Sequence, residues 1–238
     1  MSKVAIVQSN YIPWKGYFDL INSVDHFVIF DHAQYTKGDW RNRNKIKTPL
    51  GAQWLTIPVA TSGLCGSQKI NEAKTTGKLW ARSHWGKICR CYSSTRYFQD
   101  FRGLFEKHYL NMTEDFLSKI NIQFIHIVNE ILNIKTKMHF SSDFVLRGGQ
   151  NECLVGICSD LGATEYWSGP AAKDYLDERL FARHNIPVHW MTYDGYPEYP
   201  QSYPPFEHSV SILDLIFNVG ADVSKYMLSF NKNHDQIQ

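Results

Sequence analysis

Two short apolar runs, joined by a polar turn and a short amphipathic segment, occupy the start of the chain and constrain the fold more than any other feature. Lys3 to Gln8 reads as a buried strand, Tyr17 to Ser23 has helical spacing, and His26 to Phe30 is a second apolar strand. Strand, helix and strand over so few residues form a βαβ unit, whose strands are usually parallel. Open α/β sheets bind ligands at the carboxyl ends of such strands, so the residues after each run are the first candidates for a site.

The rest of the chain alternates between strand-like and helical segments. Further strands are predicted at Trp40 to Thr48, Gln53 to Val59, His139 to Leu146, Glu165 to Ser168 and Val188 to Tyr193. Helices are predicted at Leu79 to Tyr92, Tyr97 to Asn111, Thr113 to Ile131, Asn151 to Leu161, Ala171 to His184 and Ser211 to Val219. Thr113 would be an N-cap, and Gly162 and Gly220 would end the helices that precede them. The loop of residues 60–77, rich in glycine and small polar residues, is expected to be mobile.

These segments predict an α/β protein with an open, mostly parallel sheet of the nucleotidylyltransferase or Rossmann-like type. Residues 1–77 and 139–220 would form the α/β domain, residues 78–138 a helical insert, and residues 221–238 a frayed polar tail. The apolar and aromatic surplus of the insert permits a homodimer without requiring one.

Composition excludes several classes of protein. With a formal net charge of only +2 over 238 residues, the electrostatic field of the whole protein gives no reason to expect binding of nucleic acid or acidic membranes. No apolar run reaches bilayer length and the start is too short for a signal-peptide core, so we expect a cytoplasmic protein without membrane insertion. Five cysteines and ten histidines lack the spacing of metal ligands. Hydrolase, NTPase, dinucleotide and zinc-protease motifs are absent from the sequence.

Amide side chains and flat rings follow the first strand. Gln8 and Asn10 come directly after it, with Tyr11 and Trp14 close behind, which suits recognition of a base or a sugar ring. The alternative places both rings in the core, with Pro13 only shaping a turn.

Polar residues also follow the second strand, where Asp31 ends the apolar run and Gln34 and Tyr35 come next. A carboxylate at this edge would point into a crevice, which makes Asp31 the best candidate for a general base. An aspartate that only caps a turn is the alternative.

The most distinctive segment is Arg41-Asn42-Arg43-Asn44-Lys45-Ile46-Lys47, preceded by Trp40. In an extended chain the four cations share one face and the two asparagines the other, so neither face suits a core. Guanidinium groups alternating with side-chain amides can donate several hydrogen bonds to the oxygens of a diphosphate or a carboxylate. A solvated edge strand protected by lysine is the alternative.

Two later segments invite a functional interpretation. Ser168 and Gly169 end a strand just before Pro170, and Lys173 lies in the predicted first helical turn. Free backbone N–H groups at this helix start would bind an anion. The alternative is that Ser168 is an ordinary N-cap. Ser211 and Asp214 have the spacing of a capping box, which we favour over an activated serine.

These segments resemble the WbqC-like family. The opening motif is Gln8-Ser9-Asn10-Tyr11-Ile12-Pro13-Trp14-Lys15-Gly16-Tyr17-Phe18-Asp19, followed by Asp31, Gln34-Tyr35, Trp40 to Lys47, Leu161 to Thr164, Ser168-Gly169, Lys173 to Leu176, Tyr199 and Ser211 to Asp214. Ser9 stands where the family usually has proline, and Trp167 where leucine is common. The resemblance implies a place in bacterial surface-polysaccharide gene clusters, with nucleotide-linked, often amino-bearing sugars as substrates.

A fainter similarity links the strand, polar turn, Gly16, helix and strand to nucleotidylyltransferases and to adenylating ligases such as pantothenate synthetase. In those enzymes a histidine pair flanks the glycine, whereas Trp14 and Tyr17 stand here. ATP chemistry is therefore the secondary expectation.

The resulting hypothesis is a transferase that forms an amide on the amino group of a nucleotide-linked deoxyamino sugar. Residues Arg41 to Lys47 would hold the diphosphate, Tyr11 and Trp14 would stack, and Asp31 would take the proton. Gln8, Asn10 or the backbone of Ser168 and Gly169 would stabilise the oxyanion. No cofactor is implied except possible use of ATP, and the donor is an acyl or aminoacyl group whose carrier, tRNA included, stays open. A non-catalytic sugar-nucleotide binding module is the alternative, which dispersal of Asp31, Arg43 and Ser168 would favour.

Overall fold

The computed structural model describes residues 1–60 and 68–230. Its strands are β1 (Lys3–Val7), β2 (His26–Ile29), β3 (Arg43–Thr48), β4 (Gly51–Thr56), β5 (Lys137–Phe140), β6 (Glu165–Ser168) and β7 (Val188–Trp190). Its α-helices are α1 (Lys15–Asn22), α2 (Leu79–Tyr92), α3 (Phe98–Leu110), α4 (Leu117–Ile131), α5 (Gln150–Asp160), α6 (Glu178–Arg183) and α7 (Ile212–Val219). Among the described residues, no helix is long and apolar enough to cross a bilayer.

Five strands form one sheet in the order β5-β2-β1-β6-β7, and every neighbouring pair is parallel. The predicted βαβ unit and the open parallel sheet are therefore confirmed. Because β2 lies on one side of β1 and β6 on the other, the strand order reverses at β1. Such a switch point opens a crevice at the carboxyl ends of the strands.

Both faces of the sheet are covered, which explains why its strands read as continuous apolar runs. Val4 and Ile6 of β1 pack with α5 and α6, whereas Ala5 between them faces the core shared by α1, α4 and α7. Phe27 and Val28 of β2 divide in the same way. Successive side chains of a strand point to opposite faces, so one short run serves two cores.

The predicted helical insert forms the layer over one face of the sheet. Helices α2, α3 and α4 contribute Tyr92, Phe105 and Phe124 to the same apolar cluster as Phe18 of α1 and Phe217 of α7. Strand β5 begins at Lys137, inside the last residues assigned to the insert. The three helices and β5 thus form a long crossover from β2 to the edge of the sheet.

Two predicted helix boundaries were wrong. Helix α4 begins at Leu117 and not after Thr113, because Phe116 forms a bridge with Lys74 and the Leu117 N–H donates to the Ala73 carbonyl at 2.8 Å. The helix predicted over residues 171–184 is divided into a 3-10 turn at Pro170–Asp174 and α6.

The loop and tail predictions are only partly testable. Residues 61–67 of the loop and 231–238 of the tail lie outside the described residues. The described end of the loop is packed, since Ile70 and Ala73 are buried. The tail up to residue 230 is packed as well, with Val223 and Met227 buried, so this part is not frayed.

A buried carboxylate fastens that tail to α1. Asp19 accepts hydrogen bonds from the backbone N–H groups of Leu228 (3.1 Å) and Ser229 (2.8 Å) and from the hydroxyls of Ser229 and Tyr196. Four donors around one carboxylate provide the partners that a fully buried charge requires.

A second buried carboxylate, Asp214 of α7, accepts from the Tyr92 hydroxyl (2.8 Å), the Tyr199 hydroxyl (2.5 Å) and the Gln201 amide (2.7 Å). Ser211 caps α7 by accepting from the Leu213 N–H at 3.3 Å, so the predicted serine cap is confirmed, but Asp214 bonds these side chains and does not complete a capping box. Burial is the largest influence on Asp214 and raises the pKa of its carboxyl.

Lys15 is buried near these two carboxylates, both of which act on its charge. It is only 3% exposed, its Nζ lies 3.3 Å from His208 Nδ1, and the Tyr196 ring centroid is 4.4 Å away. Burial lowers the pKa of Lys15 from 10.5 to about 8, against opposing effects of Asp19 and Asp214.

Replacing this lysine by methionine is therefore expected to stabilise the fold at pH 7. The lowered pKa means that the charged form is disfavoured on folding, by about 3 kcal/mol. Because the unfolded chain keeps its proton up to pH 10.5, the wild-type protein recovers stability as pH rises from about 8, and the advantage of Lys15→Met shrinks toward pH 10. Chemical denaturation across pH 7–10 measures the difference. Lys107→Met, at an exposed lysine, should show no such trend; a constant difference for Lys15→Met would contradict the assignment.

Candidate functional site

The first cavity lies at the switch point, between the carboxyl ends of β1 and β6, and its volume is about 190 Å³. Besides apolar side chains of the sheet and α5, its lining includes Gln8, Asn10, Arg41, Ser168, Gly169, Ala171 and Tyr175. All but Ala171 and Tyr175 were predicted from the sequence. The position is the one at which open α/β sheets bind ligands, so the strand-end argument located this cavity correctly.

Arg41 is the cation of this cavity. Its Nη1 donates to Gln8 Oε1 at 2.8 Å, its Nη2 lies 3.3 Å from Asp39 Oδ2, and its buried Nε has no hydrogen-bond partner. Asn121 of α4 holds the segment by donating to the Arg41 carbonyl at 2.9 Å. Sequence analysis missed Asp39 and Asn121, because neither follows a strand of the main sheet.

A second cavity adjoins the first and shares Asn10 with it. Its volume is about 280 Å³, and its lining consists of Asn10, Pro13, Trp14, Trp40, Asn44 and Ser209. The Asn10 Oδ1 atom is buried and has no hydrogen-bond partner. We call the two cavities together the Asn10 groove. Arg41 lines one of these cavities, and Trp14 and Trp40 line the other.

Packing fixes the indole of Trp14 in the second cavity. A Cβ on Gly16 would lie 2.3 Å from the Trp14 ring, and the Tyr193 ring centroid is 5.0 Å from that of Trp14. Gly16 is therefore required by the adjacent indole. This gives a physical reason for the glycine that does not involve the nucleotide of the fainter ligase similarity.

The two asparagines of the Arg41 to Lys47 segment bond backbone carbonyls, and Asn44 holds the loop between β1 and α1. Asn44 Nδ2 donates to the carbonyls of Tyr11 (3.1 Å) and Ile12 (2.8 Å), and Asn42 Nδ2 donates to Ile57 O at 2.9 Å. Ile12 has a φ of 36°, a region that β-branched residues rarely occupy and that needs such support. The prediction that neither face suits a core was wrong, because the asparagine face is buried.

The four cations that were predicted to share one face, Arg41, Arg43, Lys45 and Lys47, have three different environments. A turn closed by the Asn42 N–H and the Asp39 carbonyl (3.1 Å) precedes β3, so Arg41 lies off the strand and points into the groove. The guanidinium carbon of Arg43 is 4.1 Å from the Trp54 ring centroid, and Lys45 Nζ is 5.2 Å from it. Lys47 is buried and donates to Pro205 O, so it is structural.

Tyr11 belongs to the core and not to a stacking surface. It has no exposed area, and its hydroxyl lies 2.9 Å from His84 Nδ1 and 2.7 Å from the Tyr109 hydroxyl. Burial raises the pKa of Tyr11 and lowers that of His84 to about 4. The alternative, that the ring lies in the core, is therefore correct for Tyr11, whereas Trp14 lines the groove.

Asp31 lines a different cavity, of about 470 Å³. Its Oδ1 accepts from the Ser9 N–H at 2.8 Å and its Oδ2 accepts from the Ser118 hydroxyl. Burial raises its pKa, although these hydrogen bonds and Arg41 act in the opposite direction. The Ser9 N–H, which a proline would lack, ties Asp31 to the loop that carries Gln8 and Asn10. Asp31, Arg43 and Ser168 therefore do not share one cleft.

The other predicted site residues lie apart from the groove. Gln34 is exposed and forms a bridge with Lys69, and Tyr35 is buried with its hydroxyl unpartnered. Lys173 is exposed, with Nζ 5.5 Å from the Trp190 ring centroid. The turn after Gly169 begins with proline and has five residues, so it provides no helix dipole for an anion.

Comparison with known proteins gives a consistent result. A model of the WbqC-like protein family matches residues 8–226, which include Gln8, Asn10, Trp14, Trp40 and Arg41 of the Asn10 groove. The chain belongs to the WbqC-like protein family. This WbqC-like chain is also similar to the uncharacterized protein Rv1507c of Mycobacterium tuberculosis (strain ATCC 25618 / H37Rv), with 47% identity over 227 residues, 95% of this chain and 98% of that protein. No solved structure matches it.

The core role of Tyr11 in this WbqC-like protein predicts the effect of removing its hydroxyl. Tyr11→Phe would leave His84 and Tyr109 without their shared partner and lower the free energy of unfolding by about 1–2 kcal/mol. Urea denaturation measures this value. Tyr35→Phe is the matched control, because its hydroxyl is buried without a partner and its removal should cost nothing. Equal effects of the two changes would contradict the assignment.

Proposed function

We propose that this protein is a transferase that binds a nucleotide-linked deoxyamino sugar in the Asn10 groove and forms an amide on the sugar's amino group. The observation that carries the proposal is that two cavities share Asn10. Arg41 and Gln8 line one of them, and Trp14, Trp40 and Asn44 line the other. A nucleoside diphosphate has matching parts: an anionic diphosphate, a polar ribose and a flat base.

Arg41 would hold the diphosphate. Its guanidinium is already oriented by Gln8 and Asp39, and its Nε is free to donate to a phosphate oxygen. A planar, pre-oriented guanidinium recognises phosphate more selectively than a flexible ammonium does. The net charge of +2 is consistent with a local site of this kind.

The indoles of Trp14 and Trp40 would contact the base or the sugar ring. Trp14 is fixed by Gly16 and Tyr193, whereas Trp40 is 41% exposed and its ring centroid lies 5.3 Å from that of Trp54. A fixed ring and an exposed ring across one cavity are suited to enclosing a flat ligand. Asn10 Oδ1 would accept a hydrogen bond from a sugar hydroxyl or amine.

Amide formation also needs a proton acceptor and stabilisation of an oxyanion. The amine nitrogen would attack the acyl carbonyl carbon, the bond to the leaving group would break, and the nitrogen would lose a proton. We assign that proton to Asp39, whose side chain is 38% exposed and lies 3.3 Å from Arg41 Nη2, because Asp31 lines a different cavity. The side-chain amides of Gln8 and Asn10 would donate to the oxyanion.

One observation favours the second candidate function, a non-catalytic sugar-nucleotide binding module. Asp31 and Ser168 line different cavities, and Arg43 packs on Trp54 at the surface. A module would need the groove and no proton acceptor. Turnover by the wild-type chain separates the two, because a transferase consumes the bound nucleotide sugar together with an acyl donor, whereas a module binds it unchanged.

A thermal-shift screen with dTDP, UDP, GDP, CMP and ATP, with and without magnesium, tests the proposal. A nucleoside diphosphate at a hundred times its dissociation constant should raise the midpoint by about 5–10 °C. Arg41→Gln should weaken binding of that nucleotide at least tenfold, or about 1.4 kcal/mol. Arg82→Gln, at an exposed arginine on α2, is the control of equal charge. A shift with ATP alone would instead support an adenylating ligase, and no shift would contradict the groove assignment.

Asp31→Asn tests whether Asp31 positions the loop or takes the proton. Asparagine would turn its NH₂ group toward one of the donors from Ser9 and Ser118, so the loop that carries Gln8 and Asn10 would loosen. We expect affinity for the bound nucleotide to fall about tenfold. Isothermal titration measures it, with Ser118→Ala as a milder change. Unchanged affinity with lost turnover would instead restore Asp31 as the general base.

A further inference from the structure

The cavity that contains Asp31 holds a group of reactive side chains that the Asn10 groove does not use. It lies on the face of β2 opposite the switch-point cavity, because Ile29 lines it whereas Phe30 lines the other. Its volume is about 470 Å³. Its polar lining consists of Asp31, His32, Asn71, Glu114, Ser118, Lys119, Gln123, Ser141 and Ser142.

A serine and a histidine form a hydrogen-bonded pair in this cavity. Ser141 Oγ lies 2.7 Å from His32 Nδ1. The two residues follow adjacent parallel strands, β5 and β2, in which Phe140 pairs with Ile29. The carboxyl ends of parallel strands are where α/β enzymes place nucleophiles and bases, and the distance suits transfer of a proton between them.

The local backbone does not require this serine. The 3-10 turn at Ser141–Asp143 is capped by Asp143, whose Oδ2 accepts from the Phe140 N–H at 2.9 Å. The Ser141 hydroxyl is therefore available to the imidazole. A serine that only capped the turn would accept a backbone N–H instead.

Hydrogen-bonding groups for an acyl oxygen surround the pair. The side chains of Asn71 and Gln123, whose NH₂ groups can donate, line the same cavity. Lys119 Nζ lies at the rim, 4.0 Å from Glu114 Oε2, with most of its side chain exposed. Amide N–H groups and an ammonium beside a nucleophile are suited to a developing oxyanion.

We propose that Ser141 and His32 form a nucleophile and general base that accept an acyl group from an activated acyl ester, such as a thioester. Ser141 Oγ forms a bond to the acyl carbon while its proton passes to His32 Nδ1. The carbon–sulfur bond breaks, and the departing thiolate takes the proton from His32. The products are an acyl-serine ester and a free thiol. An amine or water then attacks the acyl carbon and gives a proton to His32. The bond from the acyl carbon to Ser141 Oγ breaks and Oγ takes that proton, which releases an amide or a carboxylic acid and regenerates Ser141.

The inference goes beyond the proposed function and does not depend on it. The Asn10 groove lies on the other face of β2, so an acceptor for the acyl group would enter this cavity separately. Formation of the acyl-serine itself needs no nucleotide. Labelling of Ser141 and binding of nucleotides therefore fail or succeed independently.

A fluorophosphonate probe tests the pair directly, because Oγ displaces fluoride and forms a stable phosphonate ester. The full chain should gain one adduct by intact mass, and peptide mapping should place it on Ser141. Ser141→Ala should abolish the adduct, and His32→Gln should slow its formation at least tenfold. Ser142→Ala is the matched control, since Ser142 is an exposed serine that lines the same cavity, and its labelling should equal that of the wild type.

The thermal midpoint of each variant separates loss of reactivity from loss of folding. His32→Asn provides a second base variant if His32→Gln is unstable. No adduct on the wild-type chain, an adduct that persists in Ser141→Ala, or equal rates in folded His32 variants would overturn the proposal. A new ester on Ser141 after incubation with acetyl thioester would identify the acyl carrier class.

Discussion

The hydrogen bonds that Asn44 donates to the carbonyls of Tyr11 and Ile12 are the interaction on which the rest of the site depends. The loop between β1 and α1 leaves the sheet and has no strand partner for its carbonyls, and buried carbonyls of this kind must be satisfied elsewhere. A hairpin that is separate from the main sheet supplies the amide. Its side chain also supports the unusual backbone of Ile12.

This arrangement explains why polar residues that are distant in the sequence form one groove. The hairpin brings Arg41 and Trp40 to the carboxyl end of β1, the helical layer holds the Arg41 backbone through Asn121, and α1 fixes Trp14 through Gly16. Each element contributes one part and is itself anchored by packing. Pre-organised groups of this kind lose little entropy when a ligand binds.

The sheet, most helices and the switch-point cavity could be predicted, because apolar periodicity and strand ends are local signals. Gln8, Asn10, Arg41 and Ser168 all line the cavity that the strand-end argument indicated. Which way the side chains of the Arg41 to Lys47 segment point could not be predicted. Strand alternation assigns the cations to one face, but the turn at Asp39 and the buried asparagines are set by a loop thirty residues earlier.

The contacts of Asp19 have a consequence for how the protein is made. This carboxylate, in the first helix, is completed by backbone donors more than two hundred residues later, and β1 needs β6 as its second neighbour. During synthesis the opening motif therefore leaves the ribosome long before its partners exist. The apolar strands β1 and β2 stay unpaired on one side for most of translation, when exposed strand edges are prone to wrong associations. The groove would be completed only when the last packed residues arrive.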